Sequence, residues 1–307
     1  MVIPLLPAQK SQYISEMNAI CRSLSIPFQF SDADWKNSLI NTNWSYEDHP
    51  NNPLKKHLGS LMPDKKGATK SIYYRYFSPE RLCDVLKTDN IQMSSMKSNY
   101  KNDDREYIEY FDILNSNINK VKVDSFRDST YILCFSDSYT DKRIWKEYTN
   151  NEGVCIEAEI TPLQSIDSWI WEFRSVFYGT GNEFAFLKSI IQHFKSTYNI
   201  DIVFPTHKFA QFFKRNTYSW ENETRICIQE EDLSYWKVNF DNLFSHFPKK
   251  QQNHCWGIRN YIDVPLDNYL FNLSIKKVFL GPKFKTLCNL NLFRLLKRKC
   301  ISYERSH

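Results

Sequence analysis

The pattern of hydrophobic and polar positions changes near residue 70. Residues 8–25 carry apolar side chains at helical spacing, which predicts a helix. Residues 30–70 are mostly polar and include the turn-forming run DHPNNP, which favours a loop-rich segment. We therefore predict an N-terminal helical and loop extension over residues 1–70, followed by a separate domain over residues 71–307.

After residue 70, short apolar runs typical of strands alternate with segments of helical spacing. The run IYYRYF predicts a strand, and the next segment predicts a helix with Ser78 as its N-cap and Pro79 at its first position. Further strands are predicted at IQMSSMKSNY, TYILCFSDS, GVCIEAEI, TRICIQ, YIDVPL, IKKVFLGP and CISYE, and further helices around 107–119, 144–150, 183–198, 205–217 and 287–299. Because strands outnumber the helices inserted among them, we predict an α+β fold with a mixed, mostly antiparallel sheet.

Composition adds general constraints on the class of protein. The chain has 307 residues, of which 42% are hydrophobic and 16% aromatic, enough for a large core. A net charge of +5 indicates a mild preference for anionic partners. The eight cysteines form no CxxC pair, which favours reduced thiols, and no apolar run reaches the roughly 18 to 20 residues of a membrane span. We predict a cytoplasmic protein without a membrane segment.

Several familiar catalytic motifs do not occur. The sequence lacks GxGxxG and GxxxxGK[ST] and has only seven glycines, which excludes Rossmann and P-loop sites. It also lacks HExxH and GxSxG, and its histidines are unclustered, so we predict no metal site. Asp103, Asp104 and Glu106 form an acidic loop that could hold magnesium in a nuclease, although a solvated turn explains the same residues.

Two carboxylates near the end of the domain are candidate catalytic groups. Glu221 and Glu223 precede an apolar strand pattern, and side chains two apart on an extended backbone point to the same side. We therefore expect both to face one cleft. Arg225 continues the same face and can keep either carboxylate ionised. A solvated edge strand with alternating charge fits the same pattern.

Arg75 is a candidate for binding a phosphorylated ligand. It lies between Tyr74 and Tyr76, and an arginine can bind a pyrophosphate bidentately while a neighbouring ring stacks on a base or nicotinamide. Ser94 and Tyr100 supply hydroxyl groups in the following predicted strand. If the substrate is NAD, breaking the bond between nicotinamide and ribose develops an oxocarbenium-like charge that a fixed carboxylate stabilises.

The order of these motifs resembles the bacterial DUF2971 family, which is related to abortive-infection proteins. The resemblance covers roughly residues 71–283. Its pieces are the aromatic strand with Arg75, the loop with Asn102, Asp103 and Glu106, the segment with Trp145 and Tyr148 before Gly153, and the segment with Trp220, Glu223 and Arg225.

The resemblance implies a divergent ADP-ribosyltransferase fold and an NAD-dependent ADP-ribosyltransferase toxin of the kind found in phage-defence toxin–antitoxin systems. By this likeness Arg75 binds NAD, and Ser94 or Tyr100 lies beside the nicotinamide or ribose. Glu223 is then the catalytic carboxylate, and Glu221 helps to activate the acceptor. An antitoxin protein is an implied partner.

Two segments bear on the acceptor of the ADP-ribose. From Ile275 to the end of the chain, nine basic residues accompany the single acid Glu304, and HKFAQFFKRNTYSW interleaves bases with aromatic residues. Both features favour nucleic acid, with RNA first, because basic side chains bind phosphates and aromatic rings stack on unpaired bases. A solvated basic helix and an amphipathic core helix explain them equally. A protein acceptor and a non-catalytic binding or antitoxin module of the same fold are the alternatives.

Overall fold

The computed structural model describes residues 3–4, 7–27, 29–31, 39–40, 53–67, 72–98, 110, 120–163, 171–200, 207–229, 247–254 and 257–306. These residues form an α+β structure with a mixed, mostly antiparallel sheet and several helices, as the sequence predicts.

The elements of the described residues follow in chain order. The strands are β1 (Ile3–Pro4), β2 (Leu39–Ile40), β3 (Ile72–Phe77), β4 (Asn90–Ser95), β5 (Thr130–Ser136), β6 (Val154–Pro162), β7 (Trp171–Ser175), β8 (Phe177–Gly179), β9 (Phe213–Arg215), β10 (Glu223–Gln229), β11 (Lys249–His254), β12 (Gly257–Pro265), β13 (Phe271–Leu280) and β14 (Ser302–Arg305). The α-helices are α1 (Pro7–Ser23), α2 (Pro53–Leu61), α3 (Pro79–Thr88), α4 (Lys120–Ser129), α5 (Lys142–Thr149), α6 (Ala185–Tyr198), α7 (His207–Ala210) and α8 (Leu290–Arg298). Short 3-10 helices occupy Met96–Ser98, Asn182–Phe184, Asn216–Glu221 and Thr286–Asn289.

Local sequence signals place some elements correctly and others not. The predicted N-cap of α3 is confirmed, because the Ser78 hydroxyl accepts a hydrogen bond from the backbone N–H of Arg81 at 3.3 Å. The helix predicted over 205–217 is wrong after Ala210, where β9 pairs in parallel with β8. Spacing between phenylalanines misled that prediction, since pairing with a distant strand overrides local periodicity.

The chain groups into two compact units. One unit comprises residues 1–63, 105–120 and 177–216, and the other comprises 64–104, 121–176 and 217–307. The division predicted from sequence, at residue 70, stays a prediction.

The second unit contains the large sheet. Its strand order is β11-β12-β4-β5-β3-β6-β13-β14, and β10 pairs with both β5 and β7. All of these pairs are antiparallel except β13 with β14. One face of the sheet is covered by α3 and α8, whose leucines join the main core. Burial of these apolar side chains is the main stabilising contribution.

Strand β5 has an opening along one of its two edges. On the first edge β10 pairs with the whole strand, from Ser136 opposite Glu223 to Thr130 opposite Gln229. On the second edge β3 pairs only with Ser136, and β4 pairs only with Ile132 and Tyr131. Residues 133–135 therefore have no partner on that edge among the described strands. We call this opening the β5 gap, and it separates the β3 side of the sheet from the β4 side.

In the first unit, a polar cluster around Glu16 joins α1 to α6. The Tyr198 hydroxyl donates to Glu16 Oε1 at 2.5 Å, and His193 Nε2 lies 2.7 Å from Glu16 Oε2. Gln12 Nε2 donates to Oε1 at 3.0 Å. Partial burial raises the pKa of Glu16, but the hydrogen bonds from Tyr198, His193 and Gln12 outweigh it, so the pKa lies below its ordinary value.

This cluster predicts a pH-dependent contribution to stability. A carboxylate whose folded pKa is lowered stabilises the fold above its unfolded pKa, and that contribution is lost as the pH falls through the folded pKa. We expect Glu16→Gln to lower the free energy of unfolding at neutral pH by about 1 kcal/mol or less, because the pair is partly exposed. Urea unfolding at neutral pH and in acid measures the difference, which should shrink as the pH falls through the lowered pKa of Glu16.

The matched control is Glu147→Gln, which changes an exposed carboxylate on α5. It should have little effect at either pH. A loss for Glu16→Gln that is equal at both pH values would contradict the expected role of the ionised Glu16.

Candidate functional site

The Arg75 side chain occupies the β5 gap. Its Nη1 donates to the carbonyl oxygen of Cys134, in the middle of the unpaired segment, at 2.5 Å. The guanidinium thus supplies a hydrogen bond that a neighbouring strand would otherwise give. The Arg75 Nε is buried and has no hydrogen-bond partner among the described residues. A buried donor without an acceptor is unfavourable, so the gap retains an open hydrogen-bonding position.

Across β5 from the gap lies a buried ion pair on β10. Arg225 Nε donates to Glu223 Oε1 at 2.7 Å, and Arg225 Nη2 donates to Oε2 at 3.1 Å. The two side chains are only 1% and 7% exposed. Arg225 is opposite Cys134 in the strand register. The predicted pairing of Arg225 with a carboxylate is therefore confirmed for Glu223, which is held in one orientation.

Arg75 and Glu223 lie close enough for their charges to interact. Burial is the main cause that lowers the pKa of Arg75. The nearby Cys134 thiol acts to raise this pKa, the positive charge of Arg81 lowers it further, and the negative charge of Glu223 acts to raise it. Burial also raises the pKa of Cys134, and the neighbouring Glu223 charge raises it further. Two of the residues predicted from sequence, Arg75 and Glu223, thus share one electrostatic environment, with Glu223 opposite Ser136 at the end of β5.

Ser94 is linked to these residues by hydrogen bonds from Arg259. Ser94 is opposite Tyr261 in the pairing of β4 with β12, and Arg259 lies two residues before Tyr261. Arg259 Nε donates to Ser94 Oγ at 3.1 Å, and Nη2 donates to the same oxygen. Burial lowers the pKa of Arg259 to about 10, with further contributions from the charges of Arg81 and Arg75.

Sequence reasoning missed Arg81 and Arg259. Arg81 had a signal that could have been used, because it lies in the first turn of α3, where the helix dipole disfavours a cation. Arg259 had no such signal, because it lies two residues before the predicted strand YIDVPL and shares the face of Tyr261 and Asp263.

The structure places Glu221 differently from the prediction. Glu221 ends the 3-10 helix Asn216–Glu221, and β10 begins only at Glu223. Between them Asn222 has a φ of 43°, in the left-handed region. The expectation that both carboxylates extend from one strand is wrong, because this residue changes the direction of the chain. Glu221 is nevertheless buried, and its Oε1 accepts a hydrogen bond from the Tyr148 hydroxyl at 2.7 Å.

An aromatic surface lies beside Glu221. The Trp220 ring is 6.4 Å from that of Tyr148, and the Arg143 guanidinium carbon is 4.3 Å from the centre of the Trp220 ring. This cation–π arrangement fixes one face of the indole. The Trp220 Nε1 is buried without a hydrogen-bond partner among the described residues. The Trp220 indole N–H is therefore a second buried donor without an acceptor, next to Glu221 in the chain.

Tyr74 and Tyr76 are not brought together with Arg75. Side chains alternate along a strand, so the two tyrosines leave β3 on the face opposite to that of Arg75. Tyr74 donates to Glu157 Oε2 at 3.3 Å, and the Tyr76 ring packs edge-on against Trp145 at 4.9 Å. Both rings belong to a separate aromatic cluster, where they are already in contact with other side chains.

Some predicted residues lie outside the described residues. They are Tyr100 and the acidic loop with Asp103, Asp104 and Glu106. Among the residues that the structure does describe, no three His, Cys, Asp or Glu side chains are grouped as a metal ion would require. None of the described helices is long and apolar enough to span a membrane.

Several side chains of the two segments that favoured nucleic acid make contacts within the protein. Four lysines of the basic C-terminal segment form ion pairs, namely Lys276 with Glu159, Lys277 with Glu304, Lys285 with Glu152 and Lys299 with Asp89. In the segment HKFAQFFKRNTYSW the rings of Phe209, Phe212 and Phe213 are buried. These lysines and phenylalanines therefore do not form an open surface for stacking bases.

The buried ion pair yields a stability prediction. Arg225→Met leaves the Glu223 carboxylate buried without its main cation, and we expect a loss of about 3–5 kcal/mol in the free energy of unfolding, measured in urea. The double variant Arg225→Met with Glu223→Leu should recover most of that loss, because neither charge remains buried.

The matched control is Lys250→Met, which breaks an exposed pair with Asp263 and should change stability by about 1 kcal/mol or less. Equal losses for Arg225→Met and Lys250→Met would show that the Arg225 pair contributes no more than a surface contact.

The chain was compared with family models, with curated proteins and with solved structures. No family model matches it, and neither a curated protein nor a solved structure was found that matches it. Any inference about function therefore depends on the chemistry of the described residues around the β5 gap.

Proposed function

We propose that this chain is an NAD-dependent ADP-ribosyltransferase of ADP-ribosyltransferase-like fold, which transfers ADP-ribose to a macromolecular acceptor in the cytoplasm as a phage-defence toxin. The observation that supports it is that Arg75, Ser94 and Glu223, from segments far apart in the chain, all adjoin β5. Arg75 donates to the Cys134 carbonyl, Ser94 pairs with Ile132, and Glu223 pairs with Ser136. A cation for phosphate, a hydroxyl and a fixed carboxylate are the groups that this chemistry needs.

Arg75 would bind the pyrophosphate of NAD. Its Nη1 is held by the Cys134 carbonyl, and its buried Nε is left to donate to a ligand oxygen. Hydrogen bonds from a guanidinium to phosphate oxygens are charge-assisted, and they are stronger in a buried site than in water. The ligand would therefore satisfy the donor that lacks a partner.

Glu223 would stabilise the ribosyl cation. When the bond between nicotinamide and ribose breaks, nicotinamide leaves with the bonding electron pair and positive charge develops at the ribose carbon. Arg225 fixes the orientation of the Glu223 carboxylate, so that no reorientation is needed as the charge appears. The acceptor atom then bonds to that carbon and loses a proton.

Glu221 would receive that proton. Its carboxylate is held by the Tyr148 hydroxyl next to the Trp220 ring, on which Arg143 is stacked. An aromatic ring with an arginine beside it is typical of sites that stack unpaired bases. Nucleic acid, with RNA first, therefore remains the proposed acceptor, and protein is the alternative that the experiment distinguishes.

One observation favours a second function. Both oxygens of Glu223 already accept hydrogen bonds from Arg225, which is also how a purely structural buried pair is arranged. A binding or antitoxin module of the same fold would keep the cationic gap and cleave no bond.

The test uses the purified chain and NAD labelled in its adenylate part, incubated separately with total RNA, single-stranded DNA and lysate protein. We expect label in one of these pools, with release of nicotinamide. Glu223→Gln should lower the rate at least about 100-fold, because it removes the charge that stabilises the transition state. Glu159→Gln, which changes a partly exposed carboxylate paired with Lys276, is the matched control and should retain the rate.

Circular dichroism and urea unfolding of Glu223→Gln are needed as well, because the substitution also weakens the pair with Arg225. A folded Glu223→Gln with unchanged label transfer would overturn the catalytic role of Glu223. No label and no nicotinamide release in any pool would favour the binding module. On expression, the wild type should arrest growth and Glu223→Gln should not.

A further inference from the structure

Three arginines come from elements that adjoin the β5 gap. Arg75 comes from β3, Arg81 from the first turn of α3 and Arg259 from β12. Their charges act on one another, as the pKa shifts of Arg75 and Arg259 indicate. Among the described residues, none of the three forms an ion pair with an Asp or Glu side chain, unlike Arg225. The cluster therefore has an excess of positive charge.

This excess of positive charge is unfavourable. Like charges that are removed from water repel one another more strongly than charges at the surface. The lowered pKa of Arg259, about 10, has burial as its main cause and the charges of Arg81 and Arg75 as further causes. A bound anion would remove this repulsion, so binding and stability are coupled at this site.

The hydrogen bonds of the cluster specify what kind of anion fits. Two nitrogens of Arg259 donate to Ser94 Oγ, which uses the acceptor capacity of that hydroxyl and leaves its hydrogen to donate elsewhere. The Arg75 Nε is a buried donor without an acceptor. The Ser94 hydroxyl hydrogen and the Arg75 Nε are therefore both donors. A ligand made only of acceptor oxygens satisfies them, and phosphate groups have this property.

We propose that Arg81, Arg259 and Ser94, together with Arg75, form a diphosphate-binding site. Three guanidinium groups on separate elements can contact two phosphoryl groups, because each fork binds a pair of oxygens. Arg75 and Arg259 approach from the β3 and β4 sides of the gap, and Arg81 approaches from α3. The inference rests on the proposed function only in naming NAD as the molecule that carries the diphosphate.

Inorganic pyrophosphate is the probe that tests the site itself. Calorimetric titration and thermal unfolding of the full chain are carried out at constant ionic strength, with sulfate and chloride as comparison anions. Pyrophosphate should bind and should raise the melting temperature more than either comparison anion. Arg81→Gln and Arg259→Gln should each weaken pyrophosphate binding about tenfold or more.

The matched control is Arg298→Gln, which removes an exposed arginine of α8 and the same unit of charge. It should bind pyrophosphate as the wild type does. If pyrophosphate binds no better than sulfate, or if the Arg81 and Arg259 variants bind as tightly as Arg298→Gln, the site is overturned.

Two further variants keep the test valid if Arg259→Gln does not fold. Arg259→Lys retains the positive charge but loses the paired N–H donors of the guanidinium group. Ser94→Ala removes one hydroxyl donor. Both should weaken binding by less than Arg81→Gln does, and unchanged binding in both would count against the site. Without ligand, Arg81→Gln should melt at a higher temperature than the wild type, because it relieves repulsion. A lower melting temperature would indicate a merely structural role.

Nicotinamide release by the same samples separates this inference from the proposed function. Pyrophosphate binding that depends on Arg81 and Arg259, without any nicotinamide release, would support the site and overturn the NAD chemistry. Nicotinamide release with an unchanged KM for NAD in Arg81→Gln and Arg259→Gln would support the chemistry and overturn the site.

Discussion

The hydrogen bond from Arg75 to the Cys134 carbonyl allows the central sheet to remain open. A backbone carbonyl in the interior of a sheet needs a donor, and a neighbouring strand normally supplies it. Here β3 pairs with one end of β5 and β4 pairs with the other end of the same edge. Between them the Arg75 side chain, and not a backbone N–H, donates the hydrogen bond to the Cys134 carbonyl. Arg75 therefore stabilises the β5 gap and also brings a positive charge into it.

Charge is distributed unequally around β5. On the β10 side, Arg225 and Glu223 neutralise each other in a bidentate pair. On the gap side, Arg75, Arg81 and Arg259 form no ion pair with an Asp or Glu side chain among the described residues, unlike Arg225. The fixed pair keeps the carboxylate in place beside the cluster without cancelling its charge. An anionic molecule entering the gap would thus meet a positive field next to an oriented negative group.

Local patterns in the sequence were enough to place the strands of Arg75 and Glu223 and the cap at Ser78. They were not enough to assemble the site, because Arg259 reaches Ser94 only through the pairing of β12 with β4. Glu221 was misplaced because a left-handed residue, which the pattern of apolar positions does not reveal, separates it from β10. The β5 gap exists because β3 and β4 each pair with only part of one edge of β5. Such pairing between distant segments cannot be predicted from the pattern of any single segment.

The order of the contributing segments along the chain also determines when the gap can form during synthesis. Arg75 and Cys134 belong to the first half of the sequence, whereas Glu223 and Arg259 are added late. Contacts between residues so far apart are slow to form, because a long loop must close before they are made. A nascent chain that ends between β10 and β12 already contains Glu223 but lacks Arg259 and one wall of the gap. The gap is therefore complete only after β12 has been synthesised.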